Sequence, residues 1–340
     1  MSSRGGGADR TKIETVGAGK YSNIFKIRRG PRAVIMKMMF YRDPVLQEFI
    51  KHAKAGNVAA AMAAKRGDAV SVSEAFGALT NQLRVAGVSP HFVRHLCGVD
   101  VKALAPQFGA LLADRLKTLT PAQKRYNHIC FMDVFSTDLT KYLLRGRPTE
   151  AVVRGIIFQV LYTLAALQRL LPGFRHNDLS SNNILIKRLR KRASASYTIG
   201  AKTYYVSDMP VLAALSDYDF LHAPGHPHLS NERVTNGKYK VNANKNVSYD
   251  THFFLKTIFK CVAKRHRAGS LRFPVAIEFF NRLRLKDADR QDIEIPRLDP
   301  LKILSDPYFD PLMRPTPISA AYALPAGPLQ PAATSWPPAL

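Results

Sequence analysis

Residues 176 to 186 read His176-Asn177-Asp178-Leu179-Ser180-Ser181-Asn182-Asn183-Ile184-Leu185-Ile186, and this run constrains the chain more than any other. A carboxylate and a carboxamide, Asp178 and Asn183, stand five residues apart on one loop. Before it, Val153, Ile157, Val160, Leu161, Leu164 and Leu167 recur at helical spacing with few charges around the circumference. That pattern predicts a helix over 151–171, buried on most sides and ended by Pro172-Gly173. After it, Ile184-Leu185-Ile186 enters an apolar strand. A polar loop is thus set between two elements of the core, and Asp217-Tyr218-Asp219 follows later. A simple polar turn is the competing reading.

Transfer of a terminal phosphoryl group asks the protein for positioning and charge neutralisation rather than covalent help. Asp178 can accept the proton of an acceptor hydroxyl. Asn183 returns from the same loop to hold a metal ion against the phosphates, and Asp217 supplies the harder ligand. Upstream, Gly17 and Gly19 lie between two strand-like runs, where glycines let a backbone approach phosphates; alone they would mark only a turn. Lys37 ends the apolar run Val34-Ile35-Met36-Lys37, where an ammonium is out of place unless it reaches into a site, or unless the strand lies at an edge. Such a lysine needs a carboxylate to fix it. Glu74 is the candidate, ahead of Glu48, with a solvated first-turn helix residue as the alternative for Glu74.

The remaining pattern predicts an α+β chain with strands first and helices last. Residues 12 to 40 alternate as strands around a turn at Gly30-Pro31, residues 45 to 66 are Ala-rich and helical, and 73 to 86 form a helix stopped before Pro90. Short strands follow near 92–99 and 129–135, with later helices at 250–265 and 273–285. Residues 311 to 340 hold eight prolines and no acidic residue, so a disordered tail is expected, as is a disordered start over 1–11.

Hydrophobic residues make up 46% of the 340, enough for a substantial core, and the apolar stretches read as interrupted by charges before they could span a bilayer. No apolar leader opens the chain, so a soluble, intracellular protein is expected, cytoplasmic or nuclear. Cys97, Cys130 and Cys261 are odd in number and not at metal-ligand spacing, and are expected as small buried apolar side chains. The formal charge of +25 draws acidic partners without specifying which.

Taken together these residues resemble the eukaryotic-type protein kinase family, from Ile13 to Phe309. Gly17-Ala18-Gly19-Lys20-Tyr21-Ser22 is similar to its glycine-rich loop with Ser22 for the third glycine, and Val34-Ile35-Met36-Lys37 to its phosphate-pairing lysine strand. His176-Asn177-Asp178 stands where the family has His-Arg-Asp, and Asp217-Tyr218-Asp219 where it has Asp-Phe-Gly. Met132-Asp133-Val134-Phe135 resembles the hinge that bonds adenine, with Asp138 near the ribose; an ordinary strand exit is the alternative. Ser248-Tyr249-Asp250 resembles the start of the helix whose aspartate braces the catalytic loop, and Leu304-Ser305-Asp306-Pro307-Tyr308-Phe309 the end of the large lobe. The closing Ala-Pro-Glu is missing, and an insertion lies between Ile186 and Asp217, as in the diverged kinases of large DNA viruses.

The resemblance implies a bilobal fold, with a β-rich N-lobe over about 12–133 carrying one regulatory helix and a mainly helical C-lobe over about 138–310. It also implies ATP and Mg2+ as cofactors and a protein substrate, phosphorylated on Ser/Thr; with Ser180 where a lysine is usual, the acceptor type stays open. Loss of arginine at Asn177 implies activity without activation-loop phosphorylation. The insertion begins Lys187-Arg188-Leu189-Arg190-Lys191-Arg192, expected as a solvated loop, with contact to nucleic acid or a nuclear address as the functional reading. Two rivals stand beside a protein kinase. Choline and aminoglycoside kinases share the His-x-Asp and the later Asp, although 33 residues from Asp217 to Asp250 leave room for a peptide-positioning segment. A pseudokinase scaffold would bind a partner or nucleic acid and transfer nothing.

Overall fold

The computed structural model describes residues 11–19, 22–103, 106–237, 248–285 and 298–329. Lys20 and Tyr21 of the glycine-rich run, the start up to residue 10 and the tail from 330 lie outside them. The chain divides into two compact units, residues 1–70 with 94–134 and residues 71–93 with 135–340.

In the first unit β1 (Lys12–Ala18), β2 (Ser22–Arg29) and β3 (Arg32–Met39) form an antiparallel meander, turned at Gly30, whose φ of 56° suits glycine. Helices α1 (Asp43–Lys54) and α2 (Val58–Ala64) follow. The single Ala-rich helix expected over 45–66 is two, because Gly56 turns left-handed (φ 72°) and the Asn57 side chain caps α2 at the Ala60 N–H. Helix α3 (Ala69–Val85) comes next, then β4 (His95–Val101), α4 (Ala113–Thr118), α5 (Pro121–Arg125) and β5 (Asn127–Met132). The sheet has the order β1-β2-β3-β5-β4. The period of two along β3 sorts its side chains: Met36, Met38 and Phe40 pack with Phe25, Phe108 and Leu112, while Met39 and Tyr41 pack with Val45, Leu46 and Cys130. Lys37 belongs to the second of these faces.

In the second unit α3 from residue 71 onward joins β6 (Thr137–Asp138), α6 (Leu139–Arg145) and α7 (Glu150–Leu170). Residues 71–93, expected within the N-lobe, group with the second unit, where Val72, Phe76, Leu79 and Leu83 are buried in its large core. Helix α7 is long and apolar enough to cross a bilayer, contrary to expectation, but 83% of its most apolar stretch is buried inside the protein. The charges that were to interrupt it sit near its ends.

The insertion after Ile186 is also corrected. It is a long hairpin, β7 (Ile184–Ile199) and β8 (Lys202–Leu215), whose outer half buries Tyr197, Tyr204, Val206 and Met209 against Phe158 and Tyr162 of α7. Gly155 of α7 permits this approach, since a Cβ there would lie 2.7 Å from Met209 Sδ. Helices α8 (Glu232–Thr235), α9 (Tyr249–Arg267), α10 (Pro274–Arg282) and α11 (Pro300–Ile303) complete the helical part. A short strand, β9 (Ala320–Ala323), then pairs in parallel with the outer half of β7. The tail expected to be disordered from 311 is therefore ordered to 329. An antiparallel sheet in the first unit and a mainly helical second unit make the chain α+β, as expected of a kinase-like fold. Cys130 and Cys261 are buried, but Cys97 is exposed, because the burial along β4 leaves its side chain outward.

Candidate active site

The loop predicted to carry the chemistry follows α7 and is folded by its own polar groups. Ser180 N–H bonds Asp178 O at 2.8 Å, Asn183 N–H bonds Ser180 O at 2.9 Å, and residues 181–183 form one 3-10 turn. This brings Asn183 back onto Asp178: its Nδ2 donates to the Asp178 carbonyl at 2.7 Å and to Oδ2 at 3.0 Å. Both partners accept, so the amide nitrogen faces Asp178 and the amide oxygen turns the other way.

The start of β8's exit is stitched to the same point. Ser216 gives both its N–H (3.0 Å) and its hydroxyl (2.9 Å) to Asn183 O, so Asp217 follows directly on a residue tied to Asn183. His176 Nε2 donates to Ser216 O at 3.0 Å, which fixes its tautomer. Tyr218 lies edge-on to Phe76 of α3 (4.5 Å) and beside His176 (5.6 Å), and its hydroxyl donates to Leu215 O at 2.6 Å. Asn177 and Asp217 both hold φ near 65°, a region that asparagine and aspartate tolerate better than other non-glycine residues.

Beneath the loop, the wholly buried carboxylate of Asp250, in the first turn of α9, accepts the N–H of His176 at 2.6 Å and of Asn177 at 2.8 Å. Seven residues along the same helix, Thr257 Oγ1 accepts the Ser181 N–H at 2.9 Å, and Thr140 of α6 holds the Ser181 hydroxyl at 2.6 Å. The brace implied for Asp250 is present, and Thr257 and Thr140 extend it.

Arg175, Thr140, Thr257 and Asn231 escaped sequence reasoning. Arg175 Nε donates to Asn177 Oδ1 at 3.1 Å and its guanidinium lies 5.3 Å from the Tyr249 ring. Burial lowers its pKa from the arginine value, and the Asp250 carboxylate pulls it back up. Asn231 donates to Asp219 O and its N–H to Leu221 O, pinning the chain beyond Asp217. Only Thr257 carried a usable signal, its heptad spacing from Asp250 on one helix face.

The other predicted residues are distributed between the units. Gly17 pairs with Ile24 across β1 and β2, and Gly19 N–H closes the turn on Ser22 O at 2.8 Å. Lys37 is buried in β3 between Ile24 and Cys130. Glu74 is half-buried on α3 in the second unit, while Glu48 is an exposed residue of α1 beside Lys51 and His52. Asp133 donates its N–H to Arg94 O and its carboxylate accepts from the Arg94 side chain, so both ends are used in holding the end of β5 to the approach to β4. Phe135 has Lys187 at 6.0 Å from its ring. Asp138 caps α6, accepting the Lys141 N–H at 2.8 Å and pairing with its ammonium at 2.8 Å.

Two comparisons bear on this arrangement. Residues 131–289, which include Asp178, Asn183, Asp217 and Asp250, match the family model of the poxvirus serine/threonine protein kinases. A protein of Acanthamoeba polyphaga mimivirus named "Putative serine/threonine-protein kinase R400" is 30% identical over 111 residues, covering 30% of this chain and 23% of that relative. The chain thus spans under a quarter of the relative's length. In the part that carries the loop and its brace, the chain resembles the diverged serine/threonine-type protein kinases of large DNA viruses.

Proposed function

We propose that this chain is an ATP-dependent protein kinase that passes the terminal phosphoryl group to a Ser/Thr hydroxyl of a protein. The observation that carries this reading is the closure of Asn183 on Asp178 above the Asp250 brace, with Asp217 attached to the same point through Ser216. In this reading Asp178 orients the acceptor hydroxyl and takes its proton as its oxygen bonds the γ-phosphorus and the bond to the departing ADP breaks. The Asn183 carboxamide oxygen and the Asp217 carboxylate are hard oxygen donors of the kind magnesium prefers, and the orientation of the amide leaves its oxygen for that use. A magnesium ion held there would neutralise charge at the phosphates. Nucleotide roles for Gly17, Gly19 and Lys37 belong to the same proposal.

Activity without activation-loop phosphorylation has a physical rationale in Asn177. Its Nδ2 donates to Phe220 O at 2.9 Å and its Oδ1 accepts from Arg175, so the loop and the segment after Asp217 are joined by internal bonds where a phosphate would otherwise be recruited. A labelled-ATP assay on phosphate-free chain, with protein, choline and aminoglycoside acceptors, tests both points. Label on protein alone is expected, and label confined to a small molecule, or to nothing, defeats the reading. Asp178→Asn should lower turnover roughly 10²- to 10⁴-fold while leaving ATP binding and the melting temperature in place. Unchanged turnover would remove Asp178 from the role.

A further inference from the structure

A second feature of the same unit is a cavity of about 500 Å³ between α6 and β7, lined by Ser136, Thr137, Lys141, Tyr142, Arg145, Gly146 and Arg188. Three cations converge on it. Arg145 and Arg188 have no carboxylate partner among the described residues, whereas Lys141 pairs with Asp138 at 2.8 Å. The neutral donors fit the same purpose. Ser136 Oγ accepts the Arg188 N–H at 3.2 Å, which leaves the hydroxyl proton to donate, and Thr137 and Tyr142 add two more hydroxyls. Arg188 and Arg192 both act on the Tyr142 hydroxyl, whose pKa burial nevertheless raises.

From these features we infer that the cavity is an anion site that takes a phosphate monoester carried by the protein substrate, so that the enzyme favours acceptors already phosphorylated nearby. Two planar guanidinium groups and hydroxyls match a dianion with three oxygens better than a single carboxylate. The cations gather at one half-open pocket, whereas a nucleic-acid backbone needs an extended track of cations. Its position suits a substrate subsite as well. Helix α6 touches the catalytic loop through Thr140 and Ser181 and reaches the cavity at Arg145, about 7–8 Å of helix rise further on, a separation that a few extended residues of a bound peptide span.

This inference rests on the protein-kinase reading, and its test separates the two. Serine peptides carrying phosphoserine three, four or five positions to either side of the acceptor, with their unphosphorylated twins, are assayed with wild type and with the double variant Arg145→Ala/Arg188→Ala. Wild type should prefer one phosphorylated register by about tenfold or more in kcat/KM, and the double variant should lose that preference through KM while keeping kcat on the unphosphorylated twin. A preference that is absent, or that survives in the variant, overturns the inference. Fluorescence anisotropy of the same labelled phosphopeptides and of a duplex DNA oligomer, on full-length Asp178→Asn with and without the two substitutions, decides the matter without turnover. Arginine-dependent binding of phosphopeptide supports the site even if no peptide is phosphorylated, in which case the kinase reading alone falls. Arginine-dependent binding of DNA with none of phosphopeptide assigns the cavity to nucleic acid and overturns it.

Discussion

Asp250 has no access to solvent, yet it satisfies two consecutive backbone N–H groups that no other described residue meets, those of His176 and Asn177. Its replacement by asparagine would keep one acceptor oxygen and turn an N–H2 toward the other amide, so one buried donor loses its partner. The expected cost is about 2–3 kcal/mol of unfolding free energy, the scale of a charge-assisted bond lost in the interior, read from urea melts of Asp250→Asn. A melt that matches wild type would show that the brace carries no energy. At this scale the site was legible wherever its chemistry is local in the chain: Asp178 and Asn183 are five residues apart on one loop. Arg175 and Asn231 act across the fold, on Asn177 and Asp219, and nothing in their neighbours along the chain marks them.

Hairpin β7–β8 shows how one block of charge can hide an element. Lys187 to Arg192 fall where the β7–β8 register slips, between Arg188 and Ala193, so they break the alternation that would have revealed a strand. Beyond them the hairpin is tied to the core by His91. The Ala213 carbonyl, 2.9 Å from His91 Nδ1, must accept, so Nδ1 carries the proton and Nε2 accepts from the Tyr197 hydroxyl at 2.7 Å. Burial holds the His91 pKa down at about 3, against 6.5 in the unfolded chain, so below pH 6.5 the unfolded state takes up a proton that the native state refuses. The contribution is complete above pH 6.5 and declines as the pH falls toward 3, reaching a loss of about 2 kcal/mol at pH 5. His91→Gln, which can donate to Ala213 and accept from Tyr197 without titrating, should show a fall in stability between pH 7 and pH 5 smaller than that of wild type by this amount. Equal falls in both proteins would place the proton elsewhere.

For the molecule as a whole, the elements with strong periodicity (α7, α9 and the first meander) were readable, and the least readable part was the C-terminal stretch. Its Pro and Ala content correctly says that it cannot form a core of its own. It does not say that a sheet edge is waiting for it. Strand β9 runs parallel to residues 195–198 of β7, Tyr322 sits 5.3 Å from Tyr197, the Leu329 N–H bonds Leu170 O at 2.8 Å, and Arg169 bonds Ala326 O at 3.1 Å. The segment is thus ordered by surface that the rest of the unit supplies, and in return it covers the flank of a hairpin whose Tyr197 is only 1% exposed. Ending the chain at Arg314 would uncover that ring and an unpaired strand edge, removing about 2–4 kcal/mol from the partial burial of Tyr322, Leu324 and Leu329. The shortened chain should melt several degrees lower and aggregate more readily. The bonds that brace the loop around Asp178 and Asn183 come from Asp250 and Thr257 of α9 and Thr140 of α6, so turnover below the melting range should persist. If the shortened chain melted with the full one, β9 would be an ornament on the sheet; if turnover vanished while the fold survived, the tail would reach the catalytic loop by a route other than stability.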